Sequence, residues 1–250
     1  MNLIDKLAEI SVEPTQRWVR VKFGGETIAD SKHPMLLLHY GPGKLPTYFF
    51  SEENVRMDLL VISGENNGKQ FFTVKAGNKE AEGAAWRYVS PTPKLTALQD
   101  LLTFEWHKMD AWYEEEEEIF VHARDPHKRV DVLPGSRHLK IIVNDEIVAE
   151  THLPHLLFET WLPTRYYIPR ADVRMEMLQQ SDLKTRCPYK GLARYWSVNV
   201  GGEVFKNIVW SYENPIPECP KIKGLVCFFN EKIDIYLDGE LQTRPITPWT

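Results

Sequence analysis

The sequence lacks most of the features by which common classes of protein are recognised. It has three cysteines and no C-x-x-C pair, so we predict neither a disulfide framework nor a thiolate zinc site. This usage indicates a reducing compartment, which we take to be the cytosol. No stretch approaches the roughly 18 consecutive apolar residues of a membrane helix. The formal net charge of -5 supplies no broad basic surface for nucleic acid.

Motifs of familiar cofactors and catalytic devices are also absent. The sequence contains no G-x-x-x-x-G-K-[ST], G-x-G-x-x-G, G-x-S-x-G or H-E-x-x-H, and its eight histidines are scattered. We therefore predict no cofactor and no metal site. Residues 2–10 form a short amphipathic stretch without a long apolar region or a small-residue cleavage site, which predicts a short helix and not a signal peptide.

What the sequence does contain is an internal repeat, with a shift of about 120 residues. Residues 17–31 match residues 137–151, and both segments read as strand, two-residue turn and strand, which is a hairpin signal. The match continues in order through each half. We therefore divide the chain into a first repeat, 1–118, a charged linker, 119–136, and a second repeat, 137–250.

The local pattern predicts a mainly β fold. Most segments are short, rich in Val, Ile, Phe, Tyr, Trp and Thr, and bounded by Gly, Pro or Asn. This is typical of a small barrel or sandwich, so we expect two homologous domains of that kind in tandem. Helix is expected only in short pieces, at residues 2–10 and 93–102. The strand–helix–strand alternation of a dinucleotide-binding fold is missing.

Several peptides of the second half closely resemble one known family. They are Tyr166-Tyr-Ile-Pro-Arg, Cys187-Pro-Tyr-Lys-Gly, Tyr195-Trp-Ser-Val, Val209-Trp-Ser-Tyr and Phe228-Phe-Asn-Glu-Lys, joined by Asp110-Ala-Trp-Tyr-Glu-Glu of the first half. Together they resemble the domain of unknown function 427 family over roughly residues 16–240. The resemblance implies a small, mostly β domain in its tandem form, with no established activity. A nucleotidyltransferase label is sometimes attached to the family. This sequence has no Gly-Ser followed by the paired acidic residues that would hold its metal.

The loop around Cys187 is the first candidate for chemistry. Arg186 and Lys190 flank the thiol, and nearby cations favour the thiolate. Pro188 stiffens the turn, and Gly191 lets the backbone approach a ligand closely. Cys187 is thus either a reactive residue beside an anion-binding Lys190, or a small side chain that fills space in a tight loop. The first repeat is degenerate here and lacks the Cys-Pro-Tyr-Lys-Gly loop.

Each repeat also carries an arginine two residues before a carboxylate. These are Arg56 with Asp58, and Arg174 with Glu176. Residues two apart on a strand face the same way, so each pair is predicted to share a face. In a pocket the arginine would bind a carboxylate or phosphate in bidentate fashion. The alternative is a structural salt bridge.

Aromatic pairs occupy equivalent places in the repeats. Trp86 with Tyr88 matches Trp210 with Tyr212, and both pairs fall on predicted strands. Large side chains with polar tips suit a ligand cavity, and they suit a packed core equally well. Nearby, the acidic run 114–118 is predicted to be a solvated face.

From these features we derive three hypotheses for function. In the first, the second repeat binds a small anionic or polar metabolite, with or without metal-free, non-redox turnover. Its residues would be Cys187, Lys190 and Glu176 as catalytic groups, and Arg174, Tyr189, Trp196, Trp210 and Tyr212 as substrate-binding groups. In the second, the chain is a non-catalytic scaffold for a protein partner. In the third, it is a nucleotidyltransferase-like enzyme. No nucleic acid or membrane is expected as a partner.

Overall fold

The computed structural model describes residues 10–41, 44–247 and 249–250. This part of the chain is mainly β, as predicted, with helix limited to short 3-10 turns. The helix predicted at 93–102 is the 3-10 helix Pro93–Leu98. Apart from Ile10, the helix predicted at 2–10 lies outside the described residues. The chain forms two compact units, residues 1–126 and 127–250, called unit 1 and unit 2 below.

The described residues of unit 1 form three antiparallel sheets. Its strands are β1 (Ser11–Pro14), β2 (Val19–Phe23), β3 (Glu26–Ser31), β4 (Met35–Leu38), β5 (Thr47–Phe49), β6 (Leu60–Asn66), β7 (Lys69–Ala76), β8 (Lys79–Tyr88), β9 (Leu102–Phe104), β10 (Ala111–Glu114) and β11 (Glu117–Ile119). The sheet orders are β1-β4-β5, β11-β10-β2-β3 and β6-β7-β8-β9. Besides the 3-10 helix already given, its turns are Glu52–Asn54, Met57–Leu59 and Trp106–Lys108.

Unit 2 has one large and one small antiparallel sheet. Its strands are β12 (Val130–Pro134), β13 (Leu139–Val143), β14 (Glu146–Thr151), β15 (His155–Glu159), β16 (Arg165–Ile168), β17 (Leu178–Cys187), β18 (Gly191–Val200), β19 (Glu203–Pro215), β20 (Val226–Phe228), β21 (Asp234–Leu237) and β22 (Glu240–Leu241). The orders are β12-β15-β16-β20-β19-β18-β17 and β14-β13-β21-β22. The 3-10 turns are Arg170–Asp172, Met175–Met177 and Pro220–Ile222.

The predicted hairpins form because their turns contain residues that accept a positive φ. In unit 1, Gly24 has φ +60°, and a Cβ there would lie 2.1 Å from the Ala76 carbonyl oxygen. In unit 2 the same turn uses Asn144 and Asp145, with φ of 48° and 63°. On β2, Val19, Val21 and Phe23 are buried while the residues between them are not, so period-2 alternation directs one face to the core.

The large sheet of unit 2 packs a core on each of its faces. Trp196 and Val198 of β18 belong to the core shared with β13 and β21. Tyr195 of the same strand, with Trp210 and Tyr212 of β19, belongs to a second core on the opposite face. This second core includes residues of the segment between β19 and β20, so the chain after Pro215 returns over that face.

The strand registers define which residues of the two units are equivalent. Pro14 pairs with Met35 as Pro134 pairs with His155, so β1 and β4 correspond to β12 and β15. Tyr88 of β8 pairs with Lys69 in unit 1, whereas its counterpart Tyr212 of β19 pairs with Ala193 in unit 2. Lys69 therefore takes the place of Ala193. The segment predicted as a linker, 119–136, contributes the end of β11 to unit 1 and all of β12 to unit 2.

Candidate functional site

The eight site residues predicted in the second repeat do not all lie together. Trp196 faces the core opposite to that of Trp210 and Tyr212. The Arg170 guanidinium carbon lies 5.2 Å from the centre of the Trp196 ring and covers it. The predicted site residues are therefore divided between the two faces of one sheet.

The expectation that the arginine–carboxylate pairs lie on strands is wrong. Arg174 precedes the 3-10 turn Met175–Met177 and donates its backbone N–H to the Val148 carbonyl at 2.8 Å. Arg174 and Glu176 are both exposed. In unit 1, the exposed Arg56 makes two hydrogen bonds of 2.8 and 2.7 Å to Asp58, because the turn brings residues two apart together. The structure does not bring Arg174 and Glu176 to Cys187.

The Cys187–Gly191 segment is the tip of the β17–β18 hairpin. Cys187 ends β17 and opposes Gly191, the first residue of β18. Gly191 has φ +104°, and a Cβ there would lie 3.3 Å from the Asn214 carbonyl oxygen, so the position requires glycine. Cys187 and Tyr189 are half-buried, with Cys187 the most exposed of the three thiols.

Lys190 turns inward from this tip and meets a buried carboxylate. Its Nζ lies 2.5 Å from Oε2 of Glu159, at the end of β15. Lys128 approaches the other carboxylate oxygen, Oε1, at 3.2 Å. The side chains of Lys190 and Glu159 are only 12% and 6% exposed. One carboxylate thus lies between two ammonium groups in a site largely removed from water.

The electrostatics of this cluster follow from burial and from the close charges. Burial alone would raise the pKa of Glu159, but Lys190 and then Lys128 lower it below its usual value. Burial opposes the charged form of Lys190, and Cys187 and Glu159 outweigh it, so the pKa of Lys190 is raised. Burial raises the pKa of the Cys219 thiol to about 11, although Lys190 pulls it down. Lys190 therefore interacts with a carboxylate and with two thiols.

Aromatic side chains line the face beside the cluster. Trp210 Nε1 donates to the Tyr167 hydroxyl at 3.2 Å, and the Tyr195 and Thr185 hydroxyls are 2.9 Å apart. Tyr212 is buried, and its pKa is raised well above its ordinary value by burial and then by Cys187. The cluster and these rings form what we call the hairpin site: Glu159, Cys187, Tyr189, Lys190, Tyr195, Trp210, Tyr212 and Cys219.

A second buried ion pair lies on the same side of unit 2. Arg165 makes a bidentate pair with Glu231, at 2.7 and 2.6 Å. Its guanidinium carbon is 5.6 Å from the centre of the Trp210 ring. Glu231 also accepts a hydrogen bond from the Thr247 hydroxyl at 2.6 Å. The pair holds β16 to the segment after β20 and fixes Trp210 at the back of the hairpin site.

The equivalent face of unit 1 carries a lysine in a different setting. Lys69 Nζ lies 3.5 Å above the Trp86 ring and 5.6 Å from that of Tyr88. Its described contacts include no ion pair within 4.0 Å. Counting along the equivalent strands, His39 takes the place of Glu159. Burial and then Lys44 lower the pKa of His39, so the carboxylate of unit 2 is replaced by a group that favours its neutral form.

One part of the acidic run in unit 1 departs from its prediction as a solvated face. Glu115 to Glu118 are exposed, but Glu114 is buried. Glu114 accepts from the Tyr48 hydroxyl at 2.7 Å and from Arg124 Nε at 3.1 Å. Burial, and then Glu114, raise the pKa of Tyr48. Strand alternation on β10 directs Glu114 inward, a position that composition alone does not reveal.

Sequence reasoning missed Glu159, Lys128, Cys219 and Tyr195. Glu159 did carry a signal, because it lies two residues beyond the buried Leu157 on the same strand face. A carboxylate on a core face calls for a buried cation as its partner. The identity of that cation depends on how the hairpin tip folds back, which the sequence does not specify.

The described residues contain neither a cluster of metal ligands nor a membrane-spanning helix. Within residues 10–41, 44–247 and 249–250, no three His, Cys, Asp or Glu side chains are grouped so that they could hold a metal ion. No helix in the described part of the chain has the length and apolar character needed to span a membrane.

The fold and the repeat define a tandem β protein whose two units share one topology. Both units match one family model, described as Domain of unknown function (DUF427), over residues 11–115 and 131–239. The chain therefore belongs to this family and contains two tandem copies of its domain, as the sequence resemblance predicted. No curated protein matched the chain.

Proposed function

We propose that unit 2 binds a small anionic or polar metabolite at the hairpin site. The observation that carries this proposal is the buried Lys190–Glu159 pair beside the half-exposed thiol of Cys187. Within this site, Lys190 and Tyr189 would contact the ligand, and Trp210 and Tyr212 would form its apolar wall.

The main support is that the fold does not need the pair. Unit 1 has the same strand order around this face with His39 in place of Glu159. Replacing a buried ion pair by apolar side chains of similar volume is often neutral or stabilising, because removing charges from water is costly. What sets the Lys190–Glu159 pair apart is its place at a hairpin tip beside the half-exposed thiol of Cys187, where a ligand could reach the lysine.

The chemistry of the site favours an anion. A lysine ammonium has three donor hydrogens, and Glu159 uses one of them at 2.5 Å. A carboxylate or phosphate oxygen at the hairpin tip would accept another, in surroundings where water competes weakly. If turnover occurs, the Cys187 sulfur would add to a carbonyl carbon of the ligand, and the thiol proton would pass by way of Lys190 to the carbonyl oxygen, which becomes a hydroxyl. Such chemistry requires neither a metal nor a redox cofactor.

The proposal differs from the set of residues predicted from sequence. Cys187, Tyr189, Lys190, Trp210 and Tyr212 remain, and Glu159 replaces Glu176 as the carboxylate. The proposed site does not include Arg174 and Glu176, which are exposed, or Trp196, which lies on the other face of the sheet.

A thermal-shift screen of a metabolite library tests the proposal. A ligand that binds only the native state raises the melting temperature by mass action, by an amount that grows with ligand concentration. The screen should be run on the wild type, on Lys190→Met and on Lys69→Met. Lys69→Met is the matched control, because it removes the lysine of the equivalent face in unit 1.

The expected result is a hit whose shift persists in Lys69→Met and is lost in Lys190→Met. Because Lys190→Met leaves Glu159 with one ammonium fewer, the double variant Lys190→Met/Glu159→Gln separates loss of binding from loss of folding. A hit that binds the folded double variant as tightly as the wild type would contradict the proposal. So would the absence of any hit at millimolar ligand.

A scaffold role is the second candidate, and one observation favours it. Leu133, Leu153 and Phe158, on or beside β12 and β15, are 53, 63 and 42% exposed. Exposed apolar side chains that lie close together are typical of surfaces that bind protein partners. If this role is correct, Leu133→Asp/Phe158→Asp should abolish capture of a co-purifying partner, whereas Lys190→Met should not. Equal capture by both variants would exclude this surface.

A further inference from the structure

Lys69 has an environment that its position on β7 does not require. It is the first residue of β7, after the turn at Asn67–Gly68, and its side chain lies across the sheet over Trp86. The rings around it are in mutual contact: the Trp86 and Tyr88 centres are 5.1 Å apart, and those of Phe49 and Trp86 are 5.4 Å apart. The amine therefore packs on a cluster of aromatic rings and is only partly exposed.

The charges around Lys69 do not neutralise it. The negative charge of Glu105 acts on it, but Trp86 Nε1 already donates to that carboxylate at 2.8 Å. Lys44 adds a second positive charge. Burial first, and then Lys44, lower the pKa of Lys69, with Glu105 opposing them. Lys190 of unit 2, held by Glu159, has its pKa raised.

We propose that Lys69 is a carbonyl-reactive amine, and that unit 1 takes a small carbonyl compound that bears a carboxylate, such as a 2-oxo acid, as an imine on this residue. Three features support it: a half-buried amine, no ion pair to hold it protonated among the described residues, and the positive charge of Lys44, which acts on it. A desolvated lysine next to another cation is a known way of activating an amine nucleophile.

The reaction balances without any oxidant or metal. The neutral Nζ adds to the carbonyl carbon and forms a carbinolamine. Both amine hydrogens then leave with the carbonyl oxygen as one water molecule, and a C=N bond replaces the C=O bond. The Trp86 ring, whose centre lies 3.5 Å from Nζ, covers one side of the amine. The imine nitrogen takes a proton from water, cyanoborohydride delivers a hydride to the imine carbon, and the product is a stable secondary amine.

Lys44 gives the proposal its specificity for a carboxylate. It is exposed, and its charge is felt by both Lys69 and His39. A carboxylate next to the reacting carbonyl would be attracted by both positive charges and would screen their mutual repulsion. An uncharged aldehyde would gain nothing from Lys44.

The test is reductive trapping on the full chain, with glyoxylate and acetaldehyde as matched aldehydes. Each is incubated with cyanoborohydride near neutral pH, and the modified lysines are mapped by mass spectrometry. Lys75 is the internal control, because it lies on the same strand, is 51% exposed and pairs with Glu80 at 3.1 Å. Lys69→Arg keeps the charge and cannot form an imine. Lys44→Gln removes only the second cation.

We expect glyoxylate to modify Lys69 at least roughly tenfold faster than Lys75, despite the lower exposure of Lys69. Lys44→Gln should remove the preference for glyoxylate over acetaldehyde. Modification of Lys69 no faster than that of Lys75 would overturn the proposal, and an unchanged preference in Lys44→Gln would overturn its carboxylate specificity. Both outcomes are independent of the hairpin site. Glyoxylate should modify Lys69 in the Lys190→Met variant at the same rate as in the wild type.

Discussion

The two units have one topology and hold their lysines in opposite ways. In unit 2, Lys190 and Lys128 converge on the buried Glu159, at 2.5 and 3.2 Å. In unit 1, Lys69 lies 3.5 Å over Trp86 and makes no ion pair among its described contacts. The strand pairing therefore does not dictate the charges on this face. Each unit can therefore carry its own chemistry on a common framework.

The same contrast appears deeper in the units, where strands β5 and β16 correspond. Unit 2 buries the bidentate pair of Arg165 and Glu231. In unit 1 the equivalent position is Thr47, because Thr47 pairs with Leu37 as Arg165 pairs with Leu157. The Thr47 hydroxyl is 3.3 Å from that of Thr103. One fold thus accommodates a charged pair or two small hydroxyls at this position.

The largest effect is expected from breaking the Arg165 pair. Arg165→Met should lower the free energy of unfolding of unit 2 by about 3–5 kcal/mol, because it leaves the fully buried Glu231 without its cation. Thr47→Val in unit 1 should cost only about 1 kcal/mol, the net value of one hydrogen bond. Urea titration, with hydrogen exchange following each unit separately, measures both. If Arg165→Met and Thr47→Val lowered the free energy of unfolding equally, the buried ion pair of unit 2 would contribute no more than the hydroxyl pair of unit 1.

The two lysines should also differ, by a smaller amount, in what they contribute to the free energy of unfolding. Lys190→Met should cost about 2 kcal/mol, because it removes a charge-assisted hydrogen bond and leaves Glu159 with Lys128 alone. Lys69→Met should change stability by less than about 1 kcal/mol, since the cation–π contact that it loses is offset by the relief of burying an ammonium. The same titration measures both variants. A larger cost for Lys69→Met would reverse the comparison.

The dependence of stability on pH should also distinguish the units. Glu159 has a lowered pKa when folded, so its contribution is present above about pH 4.3 and is lost as the pH falls below it. His39 also has a lowered pKa when folded, so the unfolded chain takes up its proton first and stability falls below about pH 6.5. In melting curves measured across this pH range, Glu159→Gln should lose only the fall in stability below about pH 4.3. His39→Gln should lose only the fall below about pH 6.5. Identical curves for both variants would contradict these assignments.

The smallest effect, in stability terms, is on the thiols, all of which belong to unit 2. Native alkylation should modify the half-exposed Cys187 first. Burial raises the pKa of Cys219 to about 11 and that of Cys227 to about 12, so both should react slowly until the unit unfolds. Mass spectrometry after brief treatment with iodoacetamide gives the order. Early modification of Cys219 would place it at the surface of the hairpin site.

Much of the fold could be predicted because it is local. The turn residues at Gly24 and Asn144, with the alternation on β2 and β13, define the first hairpin of each unit. The internal match then identified two copies, since equivalent strands keep the same order of apolar positions. Cys187 and Lys190 were found because adjacent residues at a hairpin tip remain neighbours in space.

The rest of the site could not be predicted, because it depends on contacts between distant segments. Glu159 reaches Lys190 only when β15 and the hairpin tip meet, 31 residues apart in the sequence. Trp196 and Trp210 appear equivalent as aromatic residues, but they lie on opposite faces of one sheet. Arg174 and Glu176 were misjudged because a 3-10 turn, and not a strand, follows Arg174.

The most direct test of the account is the titration of the two lysines in the same molecule. Trace acetylation of the native protein across the alkaline range, with peptide mapping, gives the pKa of Lys69 and of Lys190 from their rates. The account predicts that Lys69 titrates below the ordinary lysine value of about 10.4 and that Lys190 titrates above it. Equal pKa values, or the reverse order, would contradict the claim that the two units hold their lysines in opposite environments.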